Sequence, residues 1–288
     1  MHILPLPIGV IRAGDDVAAA LRTAHDIRSG DIIVVSSKAI AIAEGAAIDL
    51  SIFTPSKETD EWSVKSLRSP SFIEAVLQET KRLNGNIVGS ATGALLTRLK
   101  PDELSKGTLL VPNAGLDESN IEQGYAIGWP HDPVASAMRL REELMKRIPK
   151  NPTSPRNPRK EANTSKNVRS LDSLDSLESS ESSIAVIITD SCCVPGRLGV
   201  TAFALAVAGI DPFKSEIGSK DLFGKSIKIT VEAIADQLAV SGNMVMGNVN
   251  QSVPAVVIRD HDFAFSDFHG WVQGIEPNDD LFRSAFAL

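Results

Sequence analysis

The stretch Pro112-Asn113-Ala114-Gly115-Leu116-Asp117-Glu118-Ser119-Asn120 follows the apolar run Thr108-Leu109-Leu110-Val111. The run predicts a buried strand, and its continuation delivers several oxygen ligands and a flexible glycine to one point at the rim of a sheet. That is a place to hold a cation. A second stretch has the same form: Ile184-Ala185-Val186-Ile187-Ile188-Thr189 is a short β-branched run that stops on Asp190-Ser191. Two strands that each end in an aspartate can bring together two hard oxygen ligands, as Mg2+ or Mn2+ requires when it also carries substrate phosphates. Taken singly, either aspartate also reads as a helix cap or a turn residue.

At 288 residues, 43% of them hydrophobic, the chain can bury a sizeable core and is long enough for about two domains. The net charge of -7 argues against nucleic acid or an anionic membrane as the main partner, since phosphate backbones are bound by clustered Lys and Arg. Cys192 and Cys193 are adjacent, so they offer neither a disulfide framework nor zinc-ligand spacing. They read as small buried thiols in a reducing cytoplasm. Met1-His2-Ile3-Leu4-Pro5 lacks a basic region followed by an apolar core, and no apolar run approaches the roughly eighteen residues of a membrane span. Neither secretion nor membrane insertion is expected.

Along the chain, Gly14-Asp15-Asp16 before Val17-Ala18-Ala19-Ala20-Leu21 reads as a capped helix start, and Ser29-Gly30-Asp31 turns the chain into the strand Ile32-Ile33-Val34-Val35-Ser36-Ser37. Lys38, just past that strand, is placed to contact phosphate. Helices are predicted from Pro70 to Arg82 and after Asp132-Pro133, the second stopping at Pro149 with Glu142 paired to Lys146. Lys150 to Ser183 reads as a disordered insertion. Gly199 to Gly209 suits a tightly packed helix or strand, and Gly218-Ser219-Lys220-Asp221-Leu222-Phe223-Gly224 is a glycine-bracketed polar loop fit for substrate contacts. A helix from Val231 to Ala239, closed by Gly242-Asn243 or by Gly247-Asn248, precedes a final strand, Val253 to Ile258, with Pro254 at an edge or strand start. Asp279 to Arg283 reads as a short terminal helix.

Several motifs occur together and in order: Asn113 through Asn120, Asp132-Pro133 with Ser136-Ala137, Ile187-Ile188-Thr189-Asp190-Ser191, Gly218 through Gly224, Thr230 through Leu238, and Val245-Met246-Gly247. In this they resemble the family of coenzyme F420-0:L-glutamate ligases, GTP-dependent enzymes that add glutamate to the precursor of the deazaflavin coenzyme F420. The resemblance implies a mixed α/β (α+β) fold, with mixed β-sheets flanked by helices, in a homodimer. It divides the chain into an N-terminal part of the ligase domain (1–149), the insertion (150–183) and a C-terminal part (184–288).

The resemblance also implies an activity and a site. GTP phosphorylates an acceptor carboxylate, and the amine of L-glutamate attacks the acyl phosphate, with Mg2+ or Mn2+ required and K+ as a further candidate ion. Asp117 and Asp190 stand at the family's metal-binding aspartates, Ser191 replaces a threonine ligand of the second metal, and Asn248 can coordinate through its carbonyl. Asn120 matches a nucleotide contact. Ile8, Gly9, Val10 and Ile11, Ser37 and Lys38, and Met246-Gly247-Asn248-Val249-Asn250-Gln251-Ser252-Val253 match the other nucleotide-contacting stretches. Arg197, Lys220 and Asp221 are the catalytic candidates on the substrate side.

The chain departs from the family pattern where charge matters. Ile42 stands where a phosphate-binding lysine is usual, Val194 replaces the first arginine of the loop that keeps Arg197, and Asn248 replaces an acidic metal ligand. Lys100 to Lys106 is an apparent elongation near the substrate side. These changes make a divergent ligase the first expectation. The alternative is a non-catalytic or altered-substrate homologue that binds nucleotide and metal.

Overall fold

Three runs of aliphatic residues make the centre of the fold: Ile32 to Val35, Ala185 to Ile188 and Ala255 to Ile258 all have 0% exposure. Successive strand residues point to opposite faces, so a strand without polar alternation has both faces covered. The computed structural model describes residues 1–146, 148 and 183–282. The expected insertion, apart from Ser183, and the predicted stop at Pro149 lie outside these residues.

The N-terminal part runs β1 (His2–Leu6), α1 (Val17–Ala24), β2 (Ile32–Ser36), α2 (Ser37–Ala43), β3 (Ile48–Asp49), α3 (Lys57–Ser66), α4 (Pro70–Arg82), β4 (Asn86–Ala91), β5 (Ala94–Leu99), β6 (Leu109–Pro112), β7 (Tyr125–Ala126) and α5 (Pro133–Met145). The C-terminal part runs β8 (Ala185–Cys193), β9 (Val200–Ile210), β10 (Lys214–Ser215), β11 (Val231–Glu232), α6 (Ile234–Met246), β12 (Ala255–Arg259) and β13 (Phe265–Trp271). One six-stranded sheet, ordered β1-β12-β2-β8-β9-β13, takes strands from both parts. Within it β2 and β8 pair in parallel, whereas the other neighbours are antiparallel.

One face of this sheet, with Ile33, Val35, Val186, Ile188 and Val257, joins a core that includes Val17 and Leu21 of α1, Phe72 and Val76 of α4, and Leu140 and Leu144 of α5. The three-stranded sheet β4-β5-β6 adds Leu95, Leu99 and Val111 to that core. On the other face Ile32, Val34, Ile187 and Val256 meet Ile234, Ala235, Leu238 and Ala239 of α6. Gly242 lets α6 lie close, because a Cβ there would come within 3.0 Å of Val34 and 3.1 Å of Val256. Helix starts follow their sequence signals. Asp16 and Asp132 accept from the amides of Ala19 and Ala135, and Ser69 caps α4 with Pro70 in its first turn.

Several sequence expectations need correction. Ser37 to Ala43 is helical rather than extended, so Lys38 sits in the first turn of a helix. Asp190 does not end its strand, because β8 runs on to Cys193 by pairing with β9 after burial stops. Cys192 is only half-buried and Cys193 is exposed. The region from Gly199 to Gly209 falls almost wholly in the strand β9, α6 starts at Ile234 and is capped after Met246 by Gly247, and residues 231–232 are a short strand. The Val253 to Ile258 strand becomes β12, an interior strand that begins just after Pro254 and is followed by β13. Asp279 to Phe282 hold turns and no helical residue, and Arg283, the end of the expected terminal helix, lies outside the described residues. Among the described residues, no helix is long and apolar enough to cross a membrane.

At the end of the sheet where β2 begins and β12 finishes, Asp31 is 1% exposed and accepts from Nε and Nη2 of Arg259, both at 2.7 Å. Asp31→Ala would leave that guanidinium without its bidentate partner. The expected loss in urea unfolding is roughly 3 kcal/mol. A loss below about 1 kcal/mol, the usual value of an exposed pair, would contradict this reading.

Candidate functional site

Parallel pairing of β2 with β8 sets Ser36 opposite Thr189, so the residues that follow each meet at one rim of the sheet. From β2 comes Lys38, whose ammonium donates to Asp117 Oδ2 at 2.6 Å and to the carbonyl and Oγ of Ser119 at 2.8 and 2.9 Å. Asp117 arrives through a tight reversal after β6, where Asn113, Ala114 and Gly115 all take positive φ, at 52°, 53° and 79°. The amide oxygen of Asn113 accepts from the Leu95 amide at 2.9 Å, and Thr97 Oγ1 accepts from the Ala114 amide at 3.1 Å. Gly115 is required twice over: its φ disfavours a side chain, and a Cβ would stand 2.6 Å from the Trp129 indole. Asp117 and Ile127 then exchange backbone hydrogen bonds of 2.9 and 2.8 Å.

From β8 comes Asp190. Between Ile188 and Thr189 the pairing with β9 shifts register, an irregularity of the kind that re-aims side chains beside functional sites. Asp190 Oδ2 accepts from Trp129 Nε1 at 2.6 Å, and Oδ1 accepts from the Ser191 amide at 2.8 Å. The two carboxyls are pushed apart. Burial raises Asp190 to about 6, against the lowering effect of the indole and amide donors. For Asp117 burial alone would also raise the pKa, but hydrogen bonds from Lys38 and Ser119 and the ammonium charge outweigh it and hold the carboxyl below its ordinary value.

Both carboxylates and Lys38 line a cavity of about 690 Å³, within the range of small-molecule sites. Among the described residues they are its only charged lining side chains. Neutral amides and hydroxyls, including Asn120, Asn248, Asn250 and Ser191, share the wall with the apolar Val10, Ile11, Ile42 and Met246. Asn120 Nδ2 donates to the Val249 carbonyl at 2.9 Å and so ties the Asp117 stretch to the loop after α6. Within that loop Gln251 Oε1 accepts from the Val249 amide, also at 2.9 Å.

A divalent cation fits this donor set. The Lys38 ammonium already stands against Asp117 as a cation would, and a second carboxylate with neutral oxygens lies on the same wall. Among the described residues no three His, Cys, Asp or Glu side chains converge, so the set is not a closed protein cage. It suits an ion that takes its remaining oxygens from water and phosphate.

Most sequence-predicted residues meet here. Gly9, Val10, Ile11, Lys38, Asn120, the whole run from Met246 to Val253, Asp117, Asp190 and Ser191 all line the cavity. Ile8 does not, and Ser37 is buried at 2% exposure, with Ser36 lining the cavity beside it. Arg197, Lys220 and Asp221 also lie off the cavity of this single chain. Arg197 is in the exposed turn between β8 and β9, and Asp221 accepts from the Phe223 and Lys225 amides within its own loop. The Lys100 to Lys106 segment contributes nothing to the cavity lining, and Lys106 and Gly107 bond instead to Gly274 and Glu276. Glu44 accepts from Ser136 Oγ at 2.6 Å and from Arg139, which makes it a tie to α5. Sequence reasoning missed Trp129. Its role depends on the hydrogen bond to Asp190, 61 residues along the chain, which no local pattern announces.

The raised pKa of Asp190 has a signed consequence. An unfolded aspartate loses its proton near 3.8, whereas folded Asp190 keeps it to about 6. Between those values the folded state binds the extra proton, so rising pH favours the unfolded chain. Without metal, the wild type is expected to lose stability relative to Asp190→Asn from about pH 4 to pH 6, by on the order of 3 kcal/mol, and then keep a constant deficit. Urea unfolding of both proteins across that range measures it. A difference that stays flat with pH would contradict the assignment.

Comparison with known proteins identifies the family of the chain. The model of the F420-0:gamma-glutamyl ligase family matches residues 5–153 and 155–260. A protein of Methanocaldococcus jannaschii named coenzyme F420:L-glutamate ligase is 30% identical over 285 residues, 99% of this chain and 97% of that one. Proteins of the same name from Methanothermobacter thermautotrophicus and Archaeoglobus fulgidus are 30% and 31% identical, covering 95% and 87% of this chain and 95% and 83% of their own. The matched residues include Asp117 and Asp190 and strands from both parts of the central sheet, and the chain belongs to the F420-0:gamma-glutamyl ligase family.

Proposed function

We propose that this protein forms an amide bond between L-glutamate and a carboxylate-bearing acceptor, coenzyme F420-0 by family default, at the expense of GTP and with Mg2+ or Mn2+. The observation that carries this reading is the convergence of Asp117, Asp190 and Lys38 on one cavity wall. Lys38 alone cannot balance a nucleoside triphosphate beside two carboxylates, so the site calls for added divalent charge. A divalent cation, when bound, spreads the charge on the transferring phosphoryl group.

The chain's own residues do the rest. Asp117 and Asp190, with Ser191 and Asn248, hold the cation, and Lys38 turns from Asp117 to the phosphates once Asp117 is engaged. Val10, Ile11, Ile42 and Met246 offer an apolar seat to the base, with Asn120 and Asn250 as polar contacts. The γ-phosphoryl group passes to the acceptor carboxylate, giving an acyl phosphate and GDP. The glutamate amine then attacks the acyl carbon, the amide forms and phosphate leaves. K+ is a further candidate ion on the phosphates.

The protein is proposed to act as a cytoplasmic homodimer. Supporting this are Leu198, Leu222, Phe223 and Ile229, all more than four-fifths exposed and all on the β8–β9 turn or between β10 and β11. In such a pair, Arg197, Lys220 and Asp221 are proposed to reach substrate from the neighbouring copy. A second reading, in which nucleotide and metal are bound but the acceptor differs or turnover is lost, draws on Ile42, which leaves Lys38 as the only cationic side chain among the described residues of the cavity lining. Calorimetric titration with GTP and Mg2+, run beside a phosphate-release assay over a panel of acceptors, separates the two. Binding without release favours the second reading, and release that depends on one acceptor excludes it.

Asp117→Asn and Asp190→Asn are each expected to lower acceptor-dependent phosphate release by at least about a hundredfold, since even outer partners of a metal site are worth tenfold to a hundredfold. Circular dichroism checks that both variants fold. Undiminished release in the folded variants would refute the assignment.

A further inference from the structure

Trp129 is 4% exposed, does not line the cavity, and yet touches the supports of both aspartates. Its Nε1 donates to Asp190 Oδ2 at 2.6 Å. An indole has one donor and no acceptor, so this bond fixes one carboxylate oxygen and leaves Oδ1, which among the described residues accepts only from the Ser191 amide, with capacity to spare. The same indole packs where Gly115 has no Cβ, two residues before Asp117. Two residues before Trp129 in turn, Ile127 exchanges both backbone hydrogen bonds with Asp117. The ring is held by edge-to-face contacts with Phe203 at 6.3 Å and Trp271 at 6.0 Å, and Phe203 is the β9 partner of Asp190.

Resting on the reading of Asp117 and Asp190 as cation ligands, we propose that Trp129 is a positioning residue for the reaction: through its N–H and its fit against Gly115 it sets the spacing and orientation of the two carboxylates. A tryptophan that only filled the core would be replaceable by phenylalanine at a cost in packing, with no effect on a cation that never touches it. A second-sphere donor to a ligand carboxylate behaves differently, because the ligand loses its fixed rotamer when the donor goes.

The test uses the full chain and Mn2+ as the probe, with binding read by electron paramagnetic resonance in the presence of GTP. Trp129→Phe is expected to weaken Mn2+ binding by roughly tenfold to a hundredfold. Trp271→Phe, which removes an equally buried neighbour without a bond to Asp190, is expected to leave it within about twofold of wild type. Wild-type affinity in Trp129→Phe overturns the proposal alone. No Mn2+ binding by wild type overturns the cation reading and this proposal with it. A second measurement does not require Trp129→Phe to fold. The protein has three tryptophans, and the double variant Trp62→Phe/Trp271→Phe leaves Trp129 as the only indole. Mg2+ with GTP is expected to shift its emission, and an unchanged spectrum overturns the proposal.

Discussion

The parallel pairing of β2 with β8 is the constraint on which the site depends. The two faces pack against different partners, α1, α4 and α5 on one and α6 on the other, so a slip by one residue would exchange side chains fitted to different neighbours. That fixes Ser36 against Thr189, and with it the distance along the rim between Lys38 and Asp190. The helices that cover the two faces make this register rigid, and α6 brings Met246 and the loop after it to the same rim.

At that rim the chemistry is one of unequal neighbours. Asp117, with half its side chain in solvent, is kept ionised by Lys38 and Ser119, while the half-buried Asp190 lies against Trp129 and holds its proton more strongly. A half-exposed ion pair contributes little to stability, so the Lys38–Asp117 contact is easily exchanged for a stronger cation. Two carboxyls driven in opposite directions by their surroundings are what a site needs if one is to receive a cation readily and the other only when charge arrives to compensate it.

Much of this was legible in the sequence, and for a physical reason. Ile32 to Val35 and Ile184 to Ile188 announce central strands because burial on both faces removes every polar residue, and Asp16 and Asp132 announce helices because an orphan amide needs an oxygen. The family resemblance carried the two aspartates and most of the cavity wall. What was not legible depends on partners far along the chain. β8 outlasts its apolar run because β9 continues to pair with it, and β1, with Pro5, is an edge strand defined by β12. α2 lacks a side-chain cap bond, so its small residues gave no start signal. Trp129 gains its meaning only through its hydrogen bond to Asp190.

Asp117, Asp190 and Lys38 are proposed to form one nucleotide–cation site, and thermal unfolding of the full chain with Mn2+, with GTP, and with both tests it. The expected result is a joint stabilisation larger than the sum of the separate shifts, because the cation and the phosphates complete each other's coordination and only the folded state binds them. The same melting temperature under every condition would contradict it.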